Sequence, residues 1–454
     1  MSETPATQSP KDTHGKALAI NLDASVFGTF AEIGGGQEVA RWFLTVGAAS
    51  GTVAQTISAY DKAFSDDTYG AGTRYVSRER LLAMLEREYK LLVERLGPTR
   101  GAQSRFFAFA DTVTTRNFKG DNEQHGWIGL RFQTDPLGPP SDILLHVHLS
   151  DPSATLQQEA LGVLGVNLLY GIHHARASAE AFLQCLWEGL SINRMEIDVL
   201  DFTGPAFEGR DARAWCLQLL RHTMAHAILF DTTFAVVEPS SVLRKRPLLI
   251  DRGRFETIEP FHSQMLRAAA RALHNEGNEK PARQGGRDPQ GLLELTLHPA
   301  IDDDAPDDTA ILARVTNMVQ VLPAMVTNLA EGFRLVPHLR RHTAEPIRLV
   351  GGVSLLVRIL EAQFYQALPG SVLEGMGKLF ADDVKFHVYP MPREAVATAL
   401  ATGPAKDKVR LPESPPASSS SSLIGADGLL LSPPVSHLYR YLRESGYIVP
   451  IEAE

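Results

Sequence analysis

Four carboxylates, Glu32, Asp61, Asp66 and Asp111, share the early part of the chain with four arginines, Arg41, Arg74, Arg78 and Arg131. Carboxylates at that density serve as general acids, general bases or ligands of a cation such as Mg²⁺. Arginine is the natural partner of phosphate oxygens. Between Glu32 and Arg41 stands Gly34-Gly35-Gly36-Gln37-Glu38. Glycines allow positive φ and close backbone approach. Val39, Trp42, Phe43 and Val46 follow at the spacing of a helix face. The open N–H groups of a first helical turn attract an anion, often a phosphate. The expected site therefore has Gly34, Gly35, Gly36, Gln37, Glu38, Arg41, Ser58, Arg74, Arg78 and Arg131 as ligand holders. Glu32, Asp61, Asp66 and Asp111 are its acids, bases or Mg²⁺ ligands. A plainer reading competes: three glycines make a tight turn that lets a helix pack on a strand, and Asp66 and Ser77 cap helices.

Specific phosphate motifs are absent. Gly36 is followed three residues later by Val39, where the dinucleotide fingerprint needs glycine. No Gly-Lys-Ser/Thr tripeptide occurs, and no Gly-x-Ser-x-Gly. The run Phe27-Gly28-Thr29-Phe30-Ala31-Glu32-Ile33-Gly34-Gly35-Gly36-Gln37-Glu38-Val39-Ala40-Arg41, with Ser58-Ala59-Tyr60-Asp61 and Ser65-Asp66 beyond it, resembles a bacterial family of soluble proteins of unsettled function. Phe106–Thr112, His125–Gln133, Gln157–Tyr170 and Phe202–Phe207 extend the resemblance, which spans roughly Lys16 to Pro390. Members of that family often carry the labels nicotinate-nucleotide adenylyltransferase or TonB-dependent receptor. The first label needs a His-x-Gly-His pair, and Ala31-Glu32-Ile33-Gly34-Gly35-Gly36 stands where it would be. The second needs a signal peptide and many alternating strands. The resemblance implies a family and no activity.

The elements that must position these residues follow an α/β pattern. The 454 residues suffice for two or three domains, and 44% are hydrophobic, enough for a large core. A net charge of −9 argues against a general grip on nucleic acid. Cys185 and Cys216 lie among apolar neighbours and read as buried thiols. Met1–Gly15 is polar, without the apolar stretch of a signal peptide, and no window is apolar enough to span a membrane, so cytoplasm is the expected location.

Lys16–Leu22 reads as a first strand and Thr52–Tyr60 as a second, with Arg78–Leu96 an amphipathic helix. Phe106–Thr112, Trp127–Gln133 and Ile143–Leu149 read as strands of an antiparallel part. His146 and His148 then share one strand face, a spacing that can chelate a metal, but no third ligand is apparent and no metal is assigned. Thr155–Tyr170 reads as a helix. Its Gly162 and Gly165 cost propensity, which a closely packed neighbouring helix would explain. His173 and His174 read as loop.

From Arg194 strands and helices alternate, starting with the strand Met195–Phe202. Such alternation predicts a largely parallel sheet, doubly wound or, as the alternative, a distorted barrel. Strand ends in this half carry Asp201, Thr203, Asp231, Asp251, Arg252 and Asn328. Asn275–Pro289 reads as a polar loop, and Asp302–Asp304 with Asp307 and Asp308 as a solvated acidic turn.

The expected organisation is a disordered tail 1–15, an N-terminal mixed α/β domain 16–190, a C-terminal α/β domain 191–395, a disordered linker 396–435 with the serine run 418–422, and a C-terminal helix 436–454 that docks on the body or on a partner subunit. The expected function is an enzyme acting on a nucleotide or another phosphorylated small molecule. The alternative is a metabolite-sensing or partner-binding regulatory protein without catalysis, and a homo-oligomer is compatible with either.

Overall fold

The structure, a computed structural model, describes residues 12–72, 74–278, 287–297, 306–402, 409–411 and 423–452. Two compact units divide the chain, Met1–Ala225 and His226–Glu454. The boundary lies past the expected 190.

The first unit starts with a helix where a strand was expected: α1 (Thr13–Asn21). Asp12 caps it, its carboxylate accepting from the Gly15 N–H at 2.7 Å. Ala17 and Ile20 are buried at helical spacing while Leu22 is exposed. A short apolar run carries no period long enough to separate helix from strand. Lys16 is buried too, and its Nζ donates to Asn167 Oδ1 at 2.7 Å and to the Cys185 carbonyl at 3.0 Å.

The remaining elements are β1 (Val26–Ile33), α2 (Glu38–Thr45), β2 (Val53–Ile57), α3 (Lys62–Tyr69), α4 (Arg78–Arg100), β3 (Arg105–Thr114), β4 (His125–Phe132), β5 (Ser141–Leu149), α5 (Ala154–His174), α6 (Ala179–Trp187), β6 (Met195–Thr203) and α7 (Ala212–Arg221). Six strands form one mixed sheet in the order β2-β1-β3-β4-β5-β6. β1 lies parallel to β2 and β3, and β3 to β6 form an antiparallel meander. β6 therefore completes the first sheet instead of opening the second, which moves the domain boundary. His173 and His174 belong to the last turn of α5, not to a loop.

Every residue of β1 is buried. Phe30 meets Phe43, Phe107 and Phe109 with ring centroids 5.1, 5.4 and 5.9 Å apart. The close helix–helix packing expected at Gly162 and Gly165 is present: a Cβ on Gly165 would come within 2.3 Å of Val39 on α2. Both cysteines are buried and free.

The second unit holds β7 (Ala227–Phe230), β8 (Val236–Val237), α8 (Pro239–Leu243), β9 (Leu248–Arg252), α9 (Pro260–Asn278), β10 (Gln290–Thr296), α10 (Asp308–Val319), β11 (Ala324–Thr327), α11 (Gly332–Arg340), β12 (Ile347–Gly352), α12 (Val353–Ile359), α13 (Ser371–Leu379) and β13 (Val384–Tyr389). Beyond them come β14 (Met391–Pro392), α14 (Arg393–Thr402), β15 (Val409–Arg410), β16 (Leu423–Ile424), β17 (Leu430–Leu431), α15 (Pro433–Glu444) and β18 (Ile448–Pro450).

Eight strands form an open sheet, β18-β13-β12-β9-β10-β11-β7-β8. From β18 to β11 all neighbours are parallel, while β7 runs antiparallel to β11 and β8 to β7. The parallel strands thus follow the doubly wound order, with β9 as the first strand and the reversal between β9 and β12. Leu248, Ile250, Ile347 and Leu349 join one core with side chains of α11, α12, α13 and α15. On the opposite face Asp251 and Arg348 meet His262 and Glu276 of α9. An open sheet covered on both faces replaces the barrel alternative.

The expected linker 396–435 is partly ordered: α14, β15, β16, β17 and the start of α15 lie within it, while 403–408 and the serine run fall outside the described residues. The expected C-terminal helix is α15, and it docks on the body of the second unit: Leu442 is buried in the core, and beyond the helix β18 pairs with β13. Asn275–Asn278 end α9, and Asp307 caps α10 by accepting from the Ala310 N–H at 2.7 Å. Residues 1–11, 279–286 and 302–304 lie outside the described residues. Among the described residues no helix is long and apolar enough to cross a membrane.

Candidate functional site

The register of the first sheet gathers three histidines. His148 on β5 pairs with His125 on β4, and His146 with Trp127. Alternation along each strand puts all four side chains on one face. Between His146 and Val147 the register with β6 shifts: His146 faces Val199 and Val147 faces Ile197. Asp198 is the extra residue of this β-bulge, and a bulge re-aims the side chain it carries. Asp198 Oδ1 lies 2.6 Å from His146 Nδ1. Its Oδ2 lies 2.9 Å from His148 Nε2. On the far nitrogen of His146, Nε2 lies 2.9 Å from His125 Nδ1.

His146 and Asp198 are 0% and 1% exposed, His148 and His125 7% and 9%. Burial alone would raise the Asp198 carboxyl, but the imidazoles of His146 and His148 hold it far below the usual carboxylate range by charge and hydrogen bond. Burial pushes the His125 imidazole down to about 4, and His146 beside it acts in the same direction. An ionised carboxylate is the form in which Asp198 binds metal.

One donor atom from each of His146, His148 and Asp198 can be chosen so that all lie within 4.8 Å of one another. A single divalent ion with bonds of about 2.0–2.2 Å fits such a set. Two imidazoles and one carboxylate suit zinc or ferrous iron, whereas Mg²⁺ prefers oxygen donors. A ligating histidine usually gives its second nitrogen to another group, which is the relation of His146 to His125.

The carboxylates expected from the sequence lie elsewhere. Glu32 and Asp111 are register partners on β1 and β3, both buried. Asp111 pairs with Ile128 on β4, so it occupies the sheet face opposite to Trp127 and the histidines. Glu32 accepts from the Val39 N–H at 3.1 Å and the Ala40 N–H at 2.9 Å. Asp111 accepts from the Ile33 N–H at 3.1 Å. The start of α2, expected to hold a phosphate, is thus filled by the chain's own carboxylate. Burial raises Glu32 to about 7 against these hydrogen bonds, and burial with the charge of Glu32 raises Asp111 well above its ordinary value.

Gly34 and Gly36 take φ of 89° and 83°. A Cβ on Gly34 would sit 1.9 Å from the Val113 carbonyl oxygen, and one on Gly35 2.9 Å from Leu161. These glycines form the tight turn of the plainer reading. Gln37 precedes α2 without a capping bond, and Glu38 pairs with Arg41 at 3.1 Å on the surface.

The other expected residues disperse. Asp61 caps α3 through the Phe64 N–H at 3.0 Å. Asp66 pairs with Arg80 at 2.5 Å. Ser58 and Arg74 are exposed. Arg78 pairs with Asp201. Arg131 grips Asp142 with two bonds of 2.8 Å and also meets Glu86, on the sheet face opposite to Asp111. Of the expected set, Glu32 and Asp111 come together beside the glycine turn, and Glu38 meets Arg41 on the surface.

Asp198 was missed because its partners lie on another strand and reach it through a bulge. A faint signal existed: Met195-Glu196-Ile197-Asp198-Val199-Leu200 places acids in an otherwise apolar strand.

No protein-family model matches this chain, and no curated protein matches it. Among solved structures it is similar to the competence/damage inducible protein CihA from Agrobacterium tumefaciens, at 20% identity and a TM-score of 0.26, covering 37% of this chain and 97% of that one. A CinA superfamily protein from Enterobacter cloacae is 12% identical with a TM-score of 0.27, over 37% of this chain and 97% of that one. One from Escherichia coli is 14% identical with a TM-score of 0.24, over 36% and 88%. Likenesses this slight carry no argument about ligand or activity.

Proposed function

We propose that the first unit binds a divalent transition-metal ion through His146, His148 and Asp198, and that the protein is a cytoplasmic metal-dependent enzyme acting on a nucleotide or other phosphorylated small molecule. One observation carries the reading: two imidazoles and a carboxylate converge on a point in the sheet with a further imidazole behind them. A bound cation would supply Lewis-acid stabilisation of phosphoryl oxygens. His146, His148 and Asp198 would hold it, and His125 would set the orientation of His146. The arginines and the glycine turn have no part in this version of the site.

Metal analysis of the purified protein tests it. One equivalent of zinc or iron is expected, falling below a tenth of an equivalent in His148→Ala and in Asp198→Asn. Wild-type protein that takes up no metal from a panel of divalent ions sinks the reading.

The low exposure of all four side chains favours a second reading, in which a closed metal site serves a non-catalytic sensing protein. Cobalt substitution separates the two. A visible spectrum that changes on adding inorganic phosphate means an open coordination position and supports the enzyme. An unchanged spectrum supports the closed site.

A further inference from the structure

The reversal of strand order in the second sheet lies between β9 and β12. In open α/β sheets, ligands bind beyond the carboxyl ends of the strands at that place. β9 ends there in Asp251 and Arg252. Asp251 is 2% exposed, and its Oδ2 lies 2.7 Å from Nδ1 of His262, in the first turns of α9. The His262 side chain is 20% exposed. Held through Nδ1, the imidazole keeps Nε2 as its second hydrogen-bonding atom.

The loop between β9 and α9 is strained. Phe255 takes φ of 48°, a conformation that bulky residues rarely adopt, yet its ring is buried. It sits 5.1 Å from the His262 ring. The Phe261 ring lies 5.9 Å from that of His262 and 5.3 Å from that of Tyr389, the last residue of β13. Strain of this kind persists where the surroundings over-determine a geometry, and functional sites are where it gathers.

The charges argue about the ligand. Arg252 is committed to Glu294 and to the carbonyls of Leu329 and Ala330. Arg314 pairs with Glu256 at 3.6 Å and donates to the Arg254 carbonyl. The charge of Glu259 acts on His262 together with that of Asp251. The β9–α9 loop, Gly253-Arg254-Phe255-Glu256-Thr257-Ile258-Glu259, has one glycine where a phosphate loop has several. A glycine-poor loop with two glutamates against one arginine, beside an Arg252 and an Arg314 already paired with carboxylates, disfavours a polyphosphate.

The geometry points to a second ligand site at this reversal, where His262, positioned by Asp251, hydrogen-bonds an uncharged or cationic aromatic small molecule that packs against Phe261. A nucleoside is the probe of that class, and a nucleotide is the contrast.

Calorimetric titration of the full chain with adenosine, guanosine, uridine and ATP tests this, beside diethyl pyrocarbonate labelling of His262 read by mass spectrometry. At least one nucleoside should bind, at least tenfold more tightly than ATP, and should slow labelling of His262. His262→Gln and Phe261→Leu should each weaken it at least tenfold with an unchanged melting temperature. His148→Ala should leave it intact, which separates this site from the metal centre. No nucleoside binding, binding equal in the His262→Gln and Phe261→Leu variants, or unaltered labelling would each overturn the assignment.

Discussion

At Glu32 and Asp111 two carboxyl groups share a buried layer of the first sheet, and this sets a pH dependence. Glu32 ionises at about 7 in the folded chain against a reference of 4.5. A group whose folded value is raised holds its proton longer when folded. Its contribution is therefore complete below pH 4.5 and is lost as pH rises through about 7. Urea denaturation should show stability falling by roughly 2 kcal/mol between about pH 5 and pH 8, and Asp111→Asn should flatten that slope. A flat profile would mean that both groups ionise as in the unfolded chain, and a slope of the opposite sign that folding favours their ionised forms. The sequence made Glu32 and Asp111 visible as chemistry-bearing residues, since each stands at the end of an apolar strand. It did not reveal that Glu32 turns back on the helix that follows it. The histidines were legible as a pair, because alternation along β5 is a local property. Asp198 was not, because bulges leave no period to read.

Among the elements, the turn at Gly34–Gly36 and α2 show how one motif supports two readings. The spacing of Val39 and Phe43 correctly gives a helix with those residues buried. What sits at its first turn depends on the rotamer of Glu32, which no spacing encodes. Gly34→Ala should cost about 2–4 kcal/mol, because the new Cβ meets the Val113 carbonyl and the backbone stays at φ 89°. A chemical denaturation midpoint measures it. An unchanged midpoint would show that the turn can move away from β3. α1 was misread because its apolar face is two residues wide, Ala17 and Ile20, and the buried Lys16 interrupts any hydrophobic pattern.

For the molecule as a whole, the change of rhythm near Arg194 marks β6, but rhythm does not say which sheet a strand joins. The antiparallel pairing of β6 with β5 decides that, and it is a long-range fact. The alternation of strands and helices beyond it did predict the parallel sheet, since each crossover is local. Residues near the end of the chain are integral to that sheet. Leu442 on α15 is 2% exposed within the second core. Leu442→Ala should therefore cost about 2–4 kcal/mol in the thermal or urea unfolding of the second unit. A cost below about 0.5 kcal/mol, the range of surface substitutions, would mean that α15 is only loosely attached.

The pairing of β9 with β12 also dictates an order of assembly. β10 reaches β9 after one helix, but β12 pairs with it only after β11 and α11 have intervened. Closing so long a loop is entropically unfavourable until the contacts it brings are made, so the helices should form first. Asp251 gains its neighbour Val350 on β12 only at that late step. After dilution from denaturant, helical ellipticity should recover before the fluorescence of tyrosines such as Tyr389, which pairs with the end of β12. Recovery of both signals at one rate would mean that β12 is in place from the outset.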